Sequence, residues 1–265
     1  MIAPRAVIEA EFDRLAAFED EVGLDDSVHA YPWLLARLPA RLGRVAEVGC
    51  GTGTFTTLLA HRAGHVLAID VSPRMLERAR ARCAGQPSVE LRHGDAHDWA
   101  PAARSLDALI SIGTAHHLDL DALLPRWTAA LAPGGILLIL DMLDERGFGG
   151  KARRLAGRLY SRWRRFRLTG RQRPDPAVIA AWAAHDRFGG HATWEDARRR
   201  AASLRPRARV RRHLPGRYSL EWRARADSGA GQSAESRTPA DSSTERSPES
   251  RAQADPRGER VRDAG

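Results

Sequence analysis

The sequence predicts an α/β fold: a mostly parallel, seven-stranded sheet with helices on both faces and an antiparallel hairpin at one edge. Three observations predict it. From about residue 41 to residue 144, short apolar runs alternate with segments of helical period, the pattern of strand–helix units around a parallel sheet. The first run leads into "VAEVGCGTGTF", Val45 to Phe55, with three glycines in five positions. Near the end, "RARVRRHL" and "RYSLEWRA" flank "PG", as the arms of a hairpin do.

Each element has its own signal. Residues 1–40, with "FDRLAAFEDEVGLDDSVHAYPWLLARLP", are expected to form a helical cap over the site. "RVAEVG" is the first strand, and "FTTLLAHRA" follows it with Phe55, Leu58 and Leu59 at helical spacing. "HVLAID" is the second strand. "SPRMLERARARCA" starts a helix with Ser72 as N-cap and Pro73 at its first position, where proline's missing N–H costs nothing. "SVELRHGDA" and "LDALISIG" are the third and fourth strands. "LDALLPRWTAALA" is a helix with Pro125 placed to shorten or kink it, and "PGG" turns into the fifth strand, "ILLILDML". Residues 145–193 are an insertion, and 194–226 supply the last helix and the hairpin. From Asp227 the chain holds no aromatic residue, and Val261 is its only branched aliphatic. Such a segment buries too little apolar surface to offset the entropy of ordering, so 227–265 is expected to be disordered.

Composition bounds the function. The chain has 265 residues, 43% of them hydrophobic, with no apolar run of membrane-span length, and no signal or transit peptide is expected from its first residues. Two cysteines, Cys50 and Cys83, make no disulfide framework, and a cytoplasmic protein is the expectation. Of the 42 basic residues, Lys151 is the only lysine. That looks like the base composition of the gene, so the net charge of +9 is weak evidence for nucleic acid. The charge is uneven: the tail from Asp227 has eight acids and six arginines, net −2, leaving about +11 on the rest.

The glycine turn decides the ligand class. It lacks the lysine of a phosphate-binding P-loop, and its GxGxG register brings the third glycine one residue earlier than the dinucleotide fingerprint. Glu47, beside the turn, repels a pyrophosphate and welcomes a cation. Asp70 lies 17 residues past Gly53, about where an acid accepts hydrogen bonds from ribose hydroxyls. A ligand with a ribose, an adenine and a cationic amino-acid end fits these residues.

Taken together, "VAEVGCGTG", "LAIDVSPRMLERAR", "VELRHGDAHD", "LDALISIGTAHHL" and "LAPGGILLILDM", in this order, resemble the class I S-adenosylmethionine-dependent methyltransferases, in particular the small-molecule group that includes quinone-biosynthesis enzymes. The resemblance covers roughly Leu38 to Asp144. It implies a Rossmann-like fold and S-adenosyl-L-methionine as cofactor. It implies that Glu47, Gly49, Cys50, Gly51 and Gly53 line the methionine part, and that Asp70 binds the ribose. Val71 and Met75 flank the adenine, Asp95 bonds its amine with Ala96 alongside, and Ser111 meets the methionine amino group.

The implied chemistry is in-line attack on a sulfonium methyl, with O or N of a small organic molecule as acceptor. His116 and His117 follow the fourth strand as catalytic candidates, with Asp119 available to orient one; His191, His29 and Tyr31 are fallbacks. "SIGT" is neither the Asn/Asp-Pro-Pro-aromatic stretch of the family's amide- and adenine-modifying branches nor a source of acidic metal ligands, so no metal is expected. Within the insertion, residues 146–173 hold eleven basic residues and no acid. There Leu155, Leu159, Tyr160, Trp163 and Phe166 recur at three- and four-residue spacing. This basic amphipathic helix reads first as a lid packing its apolar face on the core, second as a helix on an anionic membrane surface delivering a quinone or lipid for C- or O-methylation. An RNA methyltransferase and a non-catalytic cofactor-binding protein are the remaining alternatives; no RNA-binding module accompanies the patch. Oligomeric state is left open.

Overall fold

The computed structural model describes residues 3–18, 28–144, 148–170, 175–185, 190–204, 206–214 and 216–226. The chain opens with α1 (Arg5–Leu15), a 3₁₀ turn (Val28–Ala30) and the short α2 (Tyr31–Leu35). Alternation then begins: β1 (Leu42–Val48), α3 (Thr54–Ala60), β2 (Ala63–Asp70), α4 (Pro73–Arg82), β3 (Val89–His93) and β4 (Leu106–Ile112). A 3₁₀ turn (Ala115–His117) leads to α5 (Leu120–Ala130) and β5 (Leu131–Asp144). After these come α6 (Phe148–Thr169), α7 (Pro176–His185), the two-residue β6 (Ala192–Thr193), α8 (Trp194–Ser203), β7 (Arg209–His213) and β8 (Arg217–Arg223).

The sheet runs in the order β3-β2-β1-β4-β5-β8-β7, with β6 paired to the end of β5. The pairs from β3 to β5 are parallel, while β5–β8 and β7–β8 are antiparallel. The seven expected strands are present, and β6 is an eighth that its two residues left invisible in the pattern. Chain direction across the sheet reverses between β1 and β4, so loops on the two sides part there and leave a crevice at the strands' carboxyl ends.

Burial explains the layering. Val45, Ala108, Ile110, Leu138 and Leu140 face one side, under Tyr31, Leu34, Phe55 and Leu59. Leu109, Leu137, Ile139, Tyr218 and Leu220 belong to the other, under Leu120, Leu123 and Trp127 of α5. Each fully buried Val, Leu, Ile or Phe among them stabilises the fold by about 1.5–3 kcal/mol.

Local signals hold where they are capping signals. Ser72 Oγ accepts the N–H of Met75 at 3.1 Å with Pro73 at the first position of α4. Pro125 does not shorten α5, which runs on to Ala130. The insertion holds the expected helix, but its packing differs from the lid expectation. Gly150 and Gly157 are buried. Leu155, Leu159, Trp163 and Phe166 stay 51–59% exposed, and the apolar face points to solvent. The expectation of disorder for 227–265 lies outside the described residues. No helix among the described residues is long and apolar enough to cross a membrane.

Candidate functional site

A cavity of about 670 Å³ opens at the carboxyl ends of the central strands. Ile8 and Phe12 of α1 and Val178, Trp182 and His185 of α7 close over it. Of the residues expected to hold a cofactor, Glu47, Gly49, Cys50, Gly51, Asp70, Val71, Met75, Asp95 and Ala96 line this one cavity. Gly53 does not. It sits at a left-handed φ of 78° as the N-cap of α3, and a Cβ there would come within 3.1 Å of Ala79. Its part is to let α3 and α4 approach. Ser111 is corrected outright: it is 0% exposed inside β4 and absent from the lining. The strand continues to Ile112, and Ile112, Gly113 and Thr114 are the residues that reach the cavity.

The glycine turn is held by carboxylates. Asp70 Oδ2 accepts the N–H of Gly51 at 2.7 Å, and its Oδ1 accepts the N–H of Ser72 at 2.9 Å. At Gly49, φ is 74° and an added Cβ would stand 1.9 Å from Thr114 Oγ1, so only glycine fits. Glu47 is buried and accepts a hydrogen bond from Thr56 Oγ1 at 2.6 Å. Burial pushes its carboxyl up to about 8; the Thr56 bond opposes the rise and the nearby Asp70 adds to it. Burial also raises Asp70, against the hydrogen bonds from Ser72 and Gly51. Asp95 Oδ1 accepts from His97 N–H at 2.8 Å and from His97 Nδ1 at 2.7 Å. Three carboxyls thus line one end of the cavity around a glycine-rich turn, which suits a cationic nucleoside with an amino-acid arm.

The other end is built from histidines, aromatics and an arginine. His116 and His117 are both buried and both line the cavity. His116 Nδ1–H donates to Asp141 Oδ1 at 2.8 Å. Asp119 is not the orienting acid: its Oδ1 accepts Ala122 N–H at 3.3 Å, and it serves as the N-cap of α5. His117 Nε2 faces His185 Nε2 at 3.1 Å. Burial among these rings lowers His117 to about 2, with His116, His185 and His191 adding smaller shares, so it stays neutral. Phe12 packs edge-on against His117 and His185, with centroids 5.3 and 4.8 Å away. The donor nitrogens of His116, His117 and His185 lie within 4.8 Å of one another, a set a divalent cation could use. Its His185 is 68 positions from His117, so chain spacing gave no sign of it. Of the fallback residues, Tyr31 lines the cavity. His191 stands outside the lining with its ring 5.3 Å from that of His116. The side chain of His29 lies outside the described residues.

Arg217 was also missed. It is the first residue of β8, 7% exposed, and lines the cavity. A lone arginine behind a hairpin turn carries no motif.

Residues 45–135 match the family model described as a methyltransferase domain. The trans-aconitate 2-methyltransferase of Streptomyces coelicolor is 39% identical over 160 residues, 55% of this chain and 50% of that protein. The chain thus spans about half the length of the curated relatives it matches first. An uncharacterized methyltransferase of Mycobacterium tuberculosis is 27% identical over 206 residues, 75% of this chain and 95% of that one. Among solved structures, the DhpI-SAM-HEP complex has a TM-score of 0.55 and 23% identity, covering 82% of this chain and 94% of its own. At that identity the likeness establishes the fold, the Rossmann-like one of class I methyltransferases.

Proposed function

We propose that this chain, whose residues 45–135 match the methyltransferase-domain family and whose fold is the class I one, transfers the methyl group of S-adenosylmethionine to an oxygen or nitrogen of a small organic acceptor. The observation that carries this reading is the pairing, in one cavity, of an acid-lined glycine cradle with a separate histidine-lined end. When bound, S-adenosylmethionine supplies a methyl carbon already activated by its sulfonium charge. Glu47 is assigned to the cationic amino-acid arm, Asp70 to the ribose hydroxyls and Asp95 to the adenine amine. Val71, Met75 and Ala96 are assigned to the adenine faces, and Gly49, Cys50 and Gly51 to the methionine backbone. His116, fixed by Asp141, and His117 are assigned to contact the acceptor. The acceptor's lone pair forms the bond to the methyl carbon while the carbon–sulfur bond breaks with its electrons left on sulfur. Holding the two partners in line accounts for a large part of such a barrier, about 7–11 kcal/mol in well-oriented models. Phe12 and Trp182 close over the cavity and limit competing water.

Relatives named for 2-methylation of trans-aconitate favour oxygen as the atom attacked. The test is calorimetric titration with S-adenosylhomocysteine, then mass spectrometry for a methylated product with trans-aconitate among the acceptors. Micromolar binding that is lost in Asp70→Ala is expected. Folded protein that binds no S-adenosylhomocysteine would end the reading.

The outward apolar face of α6 favours a second reading, in which the acceptor is met at an anionic lipid surface. Leu155, Leu159, Trp163 and Phe166 are exposed beside Lys151, Arg158, Arg162 and Arg167 on the same helix, the pattern of an interfacial helix. The expected result is sedimentation with phosphatidylserine vesicles, weaker with neutral ones, and abolished by Leu159→Asp with Trp163→Asp. Retention of that double variant on vesicles would refute it.

A further inference from the structure

We propose that Arg217 is the anchor for an oxyanion on the acceptor, so that the cavity selects small molecules bearing a carboxylate or a phosphate. The inference rests on the methyl-transfer reading and names the substrate class of the same site.

The argument begins with strand alternation. Tyr218 and Leu220 of β8 enter the core beneath α5. Arg217 therefore leaves the sheet on the opposite face, beside its cross-strand partner Met142, and both line the cavity. A guanidinium stays charged at every physiological pH, and burying one without a partner is costly. Two half-buried arginines among the described residues have carboxylates beside them. Arg37 Nε lies 3.3 Å from Glu221 Oε2, and Arg200 Nε lies 3.0 Å from Asp121 Oδ1. Arg217 is 7% exposed, yet its sealed Nη1 has no hydrogen-bond partner and no carboxylate bridges to it among the described residues. A charge held in this state facing a cavity is poised for a ligand of opposite sign.

The cavity's own charges separate the two ligands. Its carboxylates, Glu47, Asp70 and Asp95, stand at the ends of β1, β2 and β3. Arg217 is on β8, three strands beyond β1 in the sheet order, which is about 14 Å at roughly 4.8 Å per strand. The acids match a cationic cofactor, and a cation at Arg217 would be repelled. The planar fork of arginine bonds carboxylate and phosphate bidentately, so the two share this chemistry.

The test uses the full chain saturated with S-adenosylhomocysteine and titrated with citrate or, separately, glycerol 3-phosphate, against sodium chloride at matched ionic strength. One oxyanion binding above the chloride control is expected, and which one binds tells carboxylate from phosphate. Arg217→Gln should weaken that binding at least about 30-fold and leave the affinity for S-adenosylhomocysteine within about twofold. Because the substitution removes an unpaired buried charge, Arg217→Met should unfold at the same temperature as the parent or higher. No oxyanion binding by the loaded parent, or equal binding by Arg217→Gln, overturns the proposal. A fall of several degrees in the melting midpoint of both variants overturns it too, by making Arg217 structural. If the parent fails to bind S-adenosylhomocysteine, the methyl-transfer reading fails instead, and the same titrations on the free chain decide Arg217 alone.

Discussion

The two ends of the cavity are built by opposite routes. The acid-lined end is assembled from strand ends and the loops directly after them: Glu47 to Gly51, then Asp70 and Asp95. Asp70 closes on the glycine turn, while Glu47 bonds Thr56 and Asp95 bonds His97, all within 20 residues of chain. The histidine end draws on α1, β5, α7 and β8 as well as the loop after β4. The first end is a device for one ligand, set by backbone geometry. The second is a device set by packing between segments far apart in the chain, and such segments can change without disturbing the first. If this division is real, substitutions at one end should leave the other's ligand untouched.

The largest effect is expected at the acid-lined end. Gly49→Ala forces a side chain into a left-handed position and onto Thr114. It should weaken S-adenosylhomocysteine binding by about 100-fold or more, since a left-handed alanine alone costs roughly 1–2 kcal/mol and the clash adds to it. Calorimetry on protein verified as folded by circular dichroism checks this. Unchanged affinity would mean the turn does not cradle the ligand. At the histidine end the mirror experiment is Asp141→Asn, which removes the carboxylate that fixes His116. Methyl-transfer kcat/KM should fall about 10- to 100-fold, as for loss of an orienting partner, with S-adenosylhomocysteine affinity kept. A parallel loss of that affinity would break the division.

Glu47 gives a smaller, pH-graded effect. With its carboxyl held up to about 8 by burial, the free protein keeps it protonated at neutral pH, and pairing with the ammonium of a bound amino-acid arm requires it ionised. Affinity for S-adenosylhomocysteine should therefore rise with pH up to about 8, by up to about tenfold per unit. Glu47→Gln should flatten the profile. The sign for unliganded stability is opposite. The folded state binds the proton more tightly than the unfolded chain, so stability falls as pH rises from about 4.3, the unfolded value, through about 8. Melting midpoints should fall with pH without ligand, and saturating ligand should flatten that slope.

The same division explains what could be read from the sequence. "VAEVGCGTG" and the acids at the next strand ends are contiguous motifs, so nine of the eleven expected cofactor residues line the cavity. Ser111 failed through phase: β4 extends one residue further, which carries the accessible positions into the loop. Asp119 is adjacent to His117 in the chain but caps α5, whereas Asp141 reaches His116 across the β4–β5 pair. His185, Phe12 and Arg217 meet the site only through tertiary packing, which leaves no local pattern. The periodicity of α6 gave the helix and its two faces, but periodicity does not say which face turns to the body. The exposure of Leu155, Leu159, Trp163 and Phe166 is what shows that it is not the apolar one.

The smallest predicted effect tests the seam between the two ends. Ser72 Oγ caps α4 at Met75 and donates to Asp13 Oδ1 of α1 at 2.5 Å, and the same Asp13 oxygen accepts Arg74 N–H at 3.1 Å. One hydroxyl thus joins the helix start beside Asp70 to the helix whose Phe12 covers the histidines. Ser72→Ala removes the cap, worth about 1 kcal/mol, and loosens α1 at the same stroke. An unfolding free energy from urea titration lowered by that amount is expected, with a few-fold loss of affinity for S-adenosylhomocysteine and of kcat/KM together. Asp13→Asn separates the parts: it keeps the Ser72 cap and weakens only the tie to α1. If it lowers kcat/KM and spares the cofactor affinity, α1 belongs to the acceptor end. If it lowers both, the cover is shared, and the division holds for the floor of the cavity but not for its roof.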